Sequence, residues 1–188
     1  MQIDEKKLIK QILNDIRVEA AEEFDRNFER KGFFEKGKWK HAQYPTNRGS
    51  LMLRSGKLRR SIAAEIKGNS VVFTSSEPYA AIHNEGGEIV VTEKMKRFFW
   101  AKYYELSSKV RTNKSGKKSA SAASQRSSAQ AEYYKGLALM KTGAKIKIPQ
   151  RQFIGDHPKL RELLEKTVYQ RIESFFNDYF NGVQNKIK

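Results

Sequence analysis

The sequence predicts an α+β fold: a small, mostly antiparallel sheet of about four strands with long N- and C-terminal helices packed on it. Apolar residues recur every three to four positions over residues 4–31 and again over residues 158–181, which is the spacing of amphipathic helices. Between these helices, short segments alternate apolar and polar side chains, as half-buried strands do. Helices at both ends of a strand-containing centre are typical of the α+β class.

The residue pattern also predicts the order of the elements. They are a helix at 4–31, a basic loop at 33–50, a helical turn at 55–62, strands at 62–66 and 71–73, a helical turn at 79–84, a strand at 88–92, a helix at 93–106, a helix at 131–140, a strand at 144–148 and a helix at 158–181. Gly68 and Asn69 favour a hairpin turn between the first two strands. Gly32 and Gly182 suit the stops of the terminal helices, and Pro158 suits the first position of the last one.

We expect one domain, residues 1–188, because a chain of this length can bury a real core and 38% of its residues are hydrophobic. Residues 107–130 are the exception within it. They are rich in Ser, Ala and Lys and contain no aromatic residue. Such a stretch buries too little apolar surface to offset the entropy cost of ordering it. We therefore predict a flexible basic insertion at 107–130, inside a helical, loop-rich excursion.

The positive charge of the chain is concentrated in two blocks. The formal net charge is +16, and residues 30–60 carry ten Lys or Arg against one acidic residue, whereas residues 94–151 carry fifteen against two. Blocks of this kind attract polyanions without reading a sequence. A merely solubilising surface is the alternative. Lys114, Lys117 and Lys118 are the candidates for contact with nucleic acid or an acidic partner.

Several kinds of chemical site are not expected. The chain has no cysteine, so it has no disulfide, no thiolate nucleophile and no cysteine-based zinc site. Its three histidines form no i, i+4 pair, and we predict neither a metal ion nor a cofactor. No apolar run is long enough to span a bilayer, and residues 1–7 lack the apolar region of a signal peptide, so we expect no membrane partner and a cytoplasmic location.

Two segments superficially resemble catalytic motifs. His83 and Glu85 are two residues apart on a turn, and such neighbours rarely converge on one substrate atom. Ser55-Gly56-Lys57 lacks the rest of a phosphate-binding loop, because Leu51 stands where the first glycine belongs and Leu58 where the magnesium ligand belongs. We therefore expect no enzymatic activity and a structural or interface role for His83.

Three short segments, in a fixed order, point to a family. They are Leu51-Met-Leu-Arg-Ser-Gly-Lys-Leu-Arg-Arg-Ser-Ile62, Tyr79-Ala-Ala-Ile-His-Asn-Glu-Gly-Gly87 and Ile148-Pro-Gln-Arg-Gln-Phe-Ile-Gly155. Together they resemble the phage virion morphogenesis family, the Mu-like tail-completion proteins. That family shows a Leu-x-x-Ser/Thr-Gly-x-Leu-x-x-Ser-Ile stretch, a Tyr-Ala-x-Ile-His-x-x-Gly stretch and an Ile-Pro-x-Arg-x-Phe-Ile/Leu-Gly stretch.

The resemblance implies a non-enzymatic structural protein of a phage or prophage, used in tail completion and head–tail joining. It implies assembly into a homo-oligomeric ring and contact with other tail or head-connector proteins, with channel DNA as a further candidate partner. The location it implies is the virion, or the host bacterial cytoplasm during assembly. The alternative is a nonspecific nucleic-acid-binding module that uses the basic residues 94–151.

The three segments also supply the candidate interface residues. In the last segment Phe153 also suits the core and Arg151 is expected to be exposed for an intersubunit ion pair, although an ordinary turn without any partner is the competing interpretation. The aromatic residues of 98–104 and 133–134 favour packing or assembly over stacking on nucleobases. The full set of interface candidates is Arg54, Arg59, Arg60, Tyr79, His83, Arg151 and Phe153.

Overall fold

The computed structural model describes residues 4–35, 37–41, 50–110 and 121–187 and has the predicted α+β class. All the predicted helices and strands are present, with shifted ends. The elements are α1 (Glu5–Arg30), α2 (Lys57–Arg60), β1 (Ile62–Lys67), β2 (Ser70–Ser75), α3 (Ala80–Glu85), β3 (Gly87–Val90), α4 (Glu93–Ser108), α5 (Ala122–Ala138), β4 (Lys145–Ile148) and α6 (Pro158–Ile187).

The strands pair as two separate two-stranded sheets, so the prediction of one sheet of about four strands was wrong. β1 and β2 form the predicted hairpin, in which Gly68 adopts the positive φ of 60° that its tight turn needs. β3 pairs antiparallel with β4, with Gly87 opposite Ile148. The sheets are separate because α3 turns the chain between β2 and β3, and β3 then finds its partner only after α4 and α5.

α4 and α5 form a helical hairpin inserted between β3 and β4. Of the flexible insertion predicted at 107–130, residues 107–108 end α4 and residues 122–130 form the first half of α5, whereas residues 111–120 lie outside the described residues. Ser124, Ser127 and Ala131 of this helix are buried, and α5 packs mainly on α4. Small side chains allow two helices to approach closely, so a composition without large apolar residues still builds a packed helix here.

The two long terminal helices lie antiparallel, because Leu160 of α6 packs with Phe24 of α1 while Arg171 pairs with Asp15. Both predicted stops were misplaced. Lys31, with φ of 55°, is the left-handed residue that follows α1, one position before Gly32, which we predicted as the stop. α6 continues through Gly182 to Ile187, because a glycine inside a helix lowers the stability of the helix but does not by itself end it.

The core lies along the C-terminal half of α1. One cluster of buried residues joins Phe28 to Trp39, Leu58, Ala80 and Phe153, and a second joins Ala20 and Phe24 to Phe33 and Leu160. The ring of Phe73 from β2 meets Phe24 edge-on at 4.9 Å, which attaches the β1–β2 hairpin to α1. The first cluster also fixes the place where the three sequence segments meet.

Candidate functional site

The second and third sequence segments are held together by hydrogen bonds to backbone N–H groups. The carbonyl of His83 accepts from the N–H of Arg151 at 2.7 Å. The side-chain oxygen of Asn84 accepts from the N–H groups of Phe153 at 2.9 Å and Ile154 at 3.0 Å. One helical turn, α3, thus fixes the backbone of residues 151–154, which has no strand partner of its own.

Gly86 permits the same two segments to approach closely. Its φ is +76°, and a Cβ atom placed on it would lie 2.9 Å from the backbone nitrogen of Gln150. Any other residue would therefore meet both a strained backbone and a collision with backbone atoms. Packing within the chain therefore requires Gly86, which ends the Tyr-Ala-x-Ile-His-x-x-Gly stretch, whether or not a partner binds there.

Side chains from the N-terminal part of the chain hold the third segment from the other side. Asn27 of α1 donates from Nδ2 to the carbonyl of Phe153 at 3.1 Å, and Trp39 donates from Nε1 to the carbonyl of Gln152 at 2.8 Å. The ring of Phe153 is 1% exposed and lies 5.2 Å from the ring of Phe28. Phe153 is therefore a core residue, as one of the two sequence interpretations predicted, and it presents no surface for a partner.

All three segments line one open cavity of about 390 Å³. The first segment contributes Leu51, Met52 and residues 54–58, the second contributes Tyr79 and His83, and the third contributes Arg151. The sequence indicated these segments but not that they meet. The structure brings ten described lining residues together from three stretches that are far apart along the chain.

His83 lies half-buried beside this cavity. Its ring meets that of Tyr79 edge-on at 5.9 Å, and its buried Nδ1 has no hydrogen-bond partner among the described residues. Burial, and then the nearby charge of Arg151, lowers the pKa of the imidazole below its ordinary value. His83 is therefore neutral near pH 7, which suits a packing or recognition residue.

Arg151 is 8% exposed, so the expectation of an exposed arginine was wrong. Its Nε donates to the carbonyl of Lys40 at 3.2 Å, and burial lowers the pKa of the guanidinium, which still stays charged at neutral pH. The side chain lies at the cavity instead of in bulk solvent, and its hydrogen bond to the carbonyl of Lys40 helps to hold it there. An ion pair with another subunit through this residue would have to form inside the cavity.

The other predicted arginines lie around the first segment. Arg59 makes ion pairs with Asp25 and Glu29 of α1, the latter at 2.8 Å, and so fastens α2 to α1. Arg60 donates to the carbonyl of Ser55 at 2.9 Å. Arg54 is exposed at the edge of the cavity.

Lys114, Lys117 and Lys118, the candidates for contact with nucleic acid or an acidic partner, lie outside the described residues.

Sequence analysis assigned no role to three side chains that hold the site together: Asn27, Trp39 and Asn84. Asn27 offered a signal, because it is a polar residue between Phe24 and Phe28 in the stripe of α1 that faces the core. Its side-chain oxygen also accepts from the N–H of Phe34 at 3.0 Å. Trp39 stood as a single large aromatic residue among lysines, which alone does not indicate a buried position.

Within the ranges that the structure describes, no group of three or more His, Asp or Glu side chains is arranged to hold a metal ion. No described helix combines the length and apolar character needed to cross a membrane. The site thus consists of a cavity, a set of positive groups and a rigid backbone frame.

The decisive comparison is with protein-family models. The model described as the phage virion morphogenesis family matches residues 31–173, well over half of the chain. The chain belongs to the phage virion morphogenesis family. No curated protein and no solved structure matches it.

Membership of the virion morphogenesis family confirms the resemblance that the three segments suggested. The matched stretch includes every described residue that lines the cavity, and it also includes the α4–α5 hairpin, which the segments only flank. It begins after the last residue of α1 and ends within α6. The family indicates a structural role in the assembly of phage particles.

Proposed function

We propose that this virion morphogenesis protein completes the phage tail and joins it to the head, as a non-enzymatic component that assembles into a homo-oligomeric ring. The family supports a role in particle assembly. The partners we propose are further copies of the chain and neighbouring tail or head-connector proteins, within the virion or in the host cytoplasm during assembly. Self-assembly is the part that the structure supports best.

The observation that carries self-assembly is an incompletely covered apolar stripe on the pair of terminal helices. Residues 5–19 of α1 include no buried residue, and neither do the described side chains of α6 beyond Leu160. Tyr169 is 72% exposed and Phe180 is 58% exposed, and eleven residues of separation put both on one face of α6; Ile9 of α1 is exposed too. Large apolar residues along helices of this length usually mark a surface that another chain covers.

We propose that a different surface of a second copy covers the stripe, because two identical stripes that face each other would close a dimer and leave nothing to extend into a ring. Head-to-tail contacts between two different surfaces of identical chains generate a ring when the rotation between neighbours closes. Salt does not weaken apolar contacts, whereas it screens the attraction between exposed charges over a Debye length of about 10 Å at 0.1 M ionic strength. The salt dependence of assembly therefore reports which kind of contact holds the copies together.

The test of the ring is the solution mass by light scattering, across protein concentration and in low and high salt. We expect one discrete multiple of the 21.7 kDa chain that persists in high salt, and closed rings in negative-stain electron micrographs. A monomer at all concentrations, or a mass that grows without limit, would contradict a closed ring of this chain alone.

Head–tail joining is tested separately, in a phage that carries this gene. Disrupting the gene is expected to give filled heads and separate tails, and supplying the protein in trans is expected to restore joined particles. Normal particles from the disrupted phage would refute the role.

Nonspecific nucleic-acid binding is the second candidate function. Lys94, Lys96 and Arg97 cluster in the first turns of α4 and make no ion pair with any described residue. Unneutralised cations of this kind release counterions when they bind a phosphate backbone. Steeply salt-dependent, saturable DNA binding by a monomer would favour this function over the ring.

A further inference from the structure

The cavity at the junction of the three segments has the properties of a recognition site. Its volume of about 390 Å³ falls within the roughly 300–1,000 Å³ typical of ligand sites. We propose that this cavity binds a segment of a partner protein that carries a carboxylate next to an apolar side chain. The inference deepens the proposed function. It rests on that function only where it identifies the partner as a neighbouring virion protein.

The positive charge of the cavity is not neutralised within the described chain. Arg54, Lys57 and Arg151 line it, and none of its described lining residues is acidic. Several other arginines of the described chain are paired, such as Arg59 with Asp25 and Arg171 with Asp15. One carboxylate adjoins the recess, that of Glu77, which is hydrogen-bonded to the side chain of the lining residue Tyr79. Three cationic side chains outnumber it and leave a site that attracts an anion.

The walls of the cavity are apolar and adaptable. Leu51, Met52 and Tyr79 are partly exposed in it. Met52 has a φ of 62°, a left-handed conformation that costs energy for a side chain other than glycine. The structure thus keeps a flexible thioether at this position at the expense of backbone strain. Methionine suits a binding wall because its side chain adapts to the shape of its neighbour.

A carboxylate on a peptide fits these features better than the phosphates of DNA. A guanidinium presents parallel N–H donors that match a carboxylate or a phosphate equally well, so charge alone does not decide. The apolar walls favour the peptide, because only a ligand with an apolar side chain gains free energy from covering them. The backbone of a DNA duplex is a uniformly polar surface whose phosphates bind open rows of cations.

The probe is a fluorescein-labelled, amidated Leu-Glu-Phe peptide, compared with the same peptide carrying Gln in place of Glu. Binding to the full-length protein is followed by fluorescence anisotropy. We expect the Glu peptide to bind about tenfold more tightly, as one charge-assisted contact provides. Equal affinity of the two peptides would overturn the proposal. Displacement of the Glu peptide by a 20-base-pair duplex or by inorganic phosphate at lower concentration than by unlabelled peptide would overturn it in favour of a phosphate site.

Matched variants locate the binding. The double variant Arg54→Gln/Lys57→Gln is expected to weaken the Glu peptide about tenfold and to leave the Gln peptide unchanged. The control Lys94→Gln/Arg97→Gln removes the same charge from exposed positions on α4 and is expected to change neither affinity by more than about twofold. Equal losses in both variants would show general electrostatic attraction and refute a site.

A third variant tests the apolar wall. Met52→Gly suits the left-handed backbone but also removes a side chain that packs against the first core cluster. Circular dichroism therefore first shows that the variant is folded, and the folded variant is expected to bind both peptides about threefold or more weakly. Unchanged affinity would contradict the apolar part of the proposal. If the peptides fail to bind while light scattering still shows a ring, this inference falls and the proposed function stands.

Discussion

At the scale of single residues, Asn84 is the link between α3 and the third segment. Its side-chain oxygen accepts two backbone N–H groups, at 2.9 and 3.0 Å. Asn84→Ala leaves both donors without this acceptor, at about 1–3 kcal/mol each, so we expect the free energy of unfolding to fall by about 2–6 kcal/mol. Urea unfolding followed by circular dichroism measures the loss.

Two further variants make this prediction specific. Asn84→Asp keeps an acceptor oxygen at the same place, and it should recover most of the lost stability. Asn14→Ala removes an exposed amide of α1 that accepts only from Arg17 at 2.9 Å, and it should change stability by less than about 0.5 kcal/mol. Losses of the same size at both asparagines would show that the two hydrogen bonds to the third segment have no special weight.

His83 makes stability depend on pH. Burial, and then the charge of Arg151, lowers its pKa from the ordinary value of 6.5. Below pH 6.5 the unfolded chain therefore takes up this proton before the folded chain does, and the free energy of unfolding decreases as the pH falls. Above that pH both states are neutral and the contribution is constant. We expect His83→Gln to lose less stability than wild type between about pH 7.5 and pH 5, in urea unfolding at each pH. Parallel profiles of the two proteins would contradict this.

The roles of single residues were harder to predict from the sequence than the segments that contain them. The three segments were selected correctly, because short motifs are visible in the chain itself. The exposure of Arg151 was predicted wrongly, since burial of a guanidinium depends on which distant segments cover it. The role of Asn27 also depends on distant segments, because its two hydrogen bonds join α1 to residues 34 and 153.

At the scale of elements, helices and strands were predictable because their periodicity is local. The pairing of strands was not, since β3 pairs with β4 across the whole α4–α5 hairpin and no local pattern records that partner. The Ser- and Ala-rich start of α5 was not predicted as a helix for a related reason. Its low hydrophobicity indicated disorder, whereas its small side chains pack against the larger ones of α4.

The small residues of α5 can be tested by size. Ser127 is buried, whereas Ala129, two positions along, is exposed. Ser127→Leu inserts a large side chain where the helices are in close contact, so we expect a loss of about 1–3 kcal/mol in the free energy of unfolding. Ala129→Leu adds a similar side chain on the solvent side and should change stability by less than about 0.5 kcal/mol. Similar effects of the two leucines would refute close packing at Ser127.

At the scale of the whole molecule, the two proposed contact surfaces occupy different regions. The half-covered apolar surface proposed for contact between copies lies on α1 and α6, whereas the cationic recess proposed for a partner's carboxylate lies at the junction of the three segments. This separation suits a component with several contacts, one to its own copies and others to neighbouring proteins or DNA. It also allows each surface to be changed by mutation without altering the others.

The last prediction uses that separation to locate the contact between copies. Tyr169→Lys/Phe180→Lys places two charges on the exposed stripe of α6, where a dry contact would have to bury them, so we expect light scattering to give the 21.7 kDa monomer. The matched control Phe98→Lys/Tyr104→Lys changes two equally exposed aromatic residues of α4 and should keep the oligomer. Because all four positions are on the surface, circular dichroism should show folded protein in each case. Loss of the oligomer in the α4 variant alone would move the contact between copies to the α4–α5 hairpin.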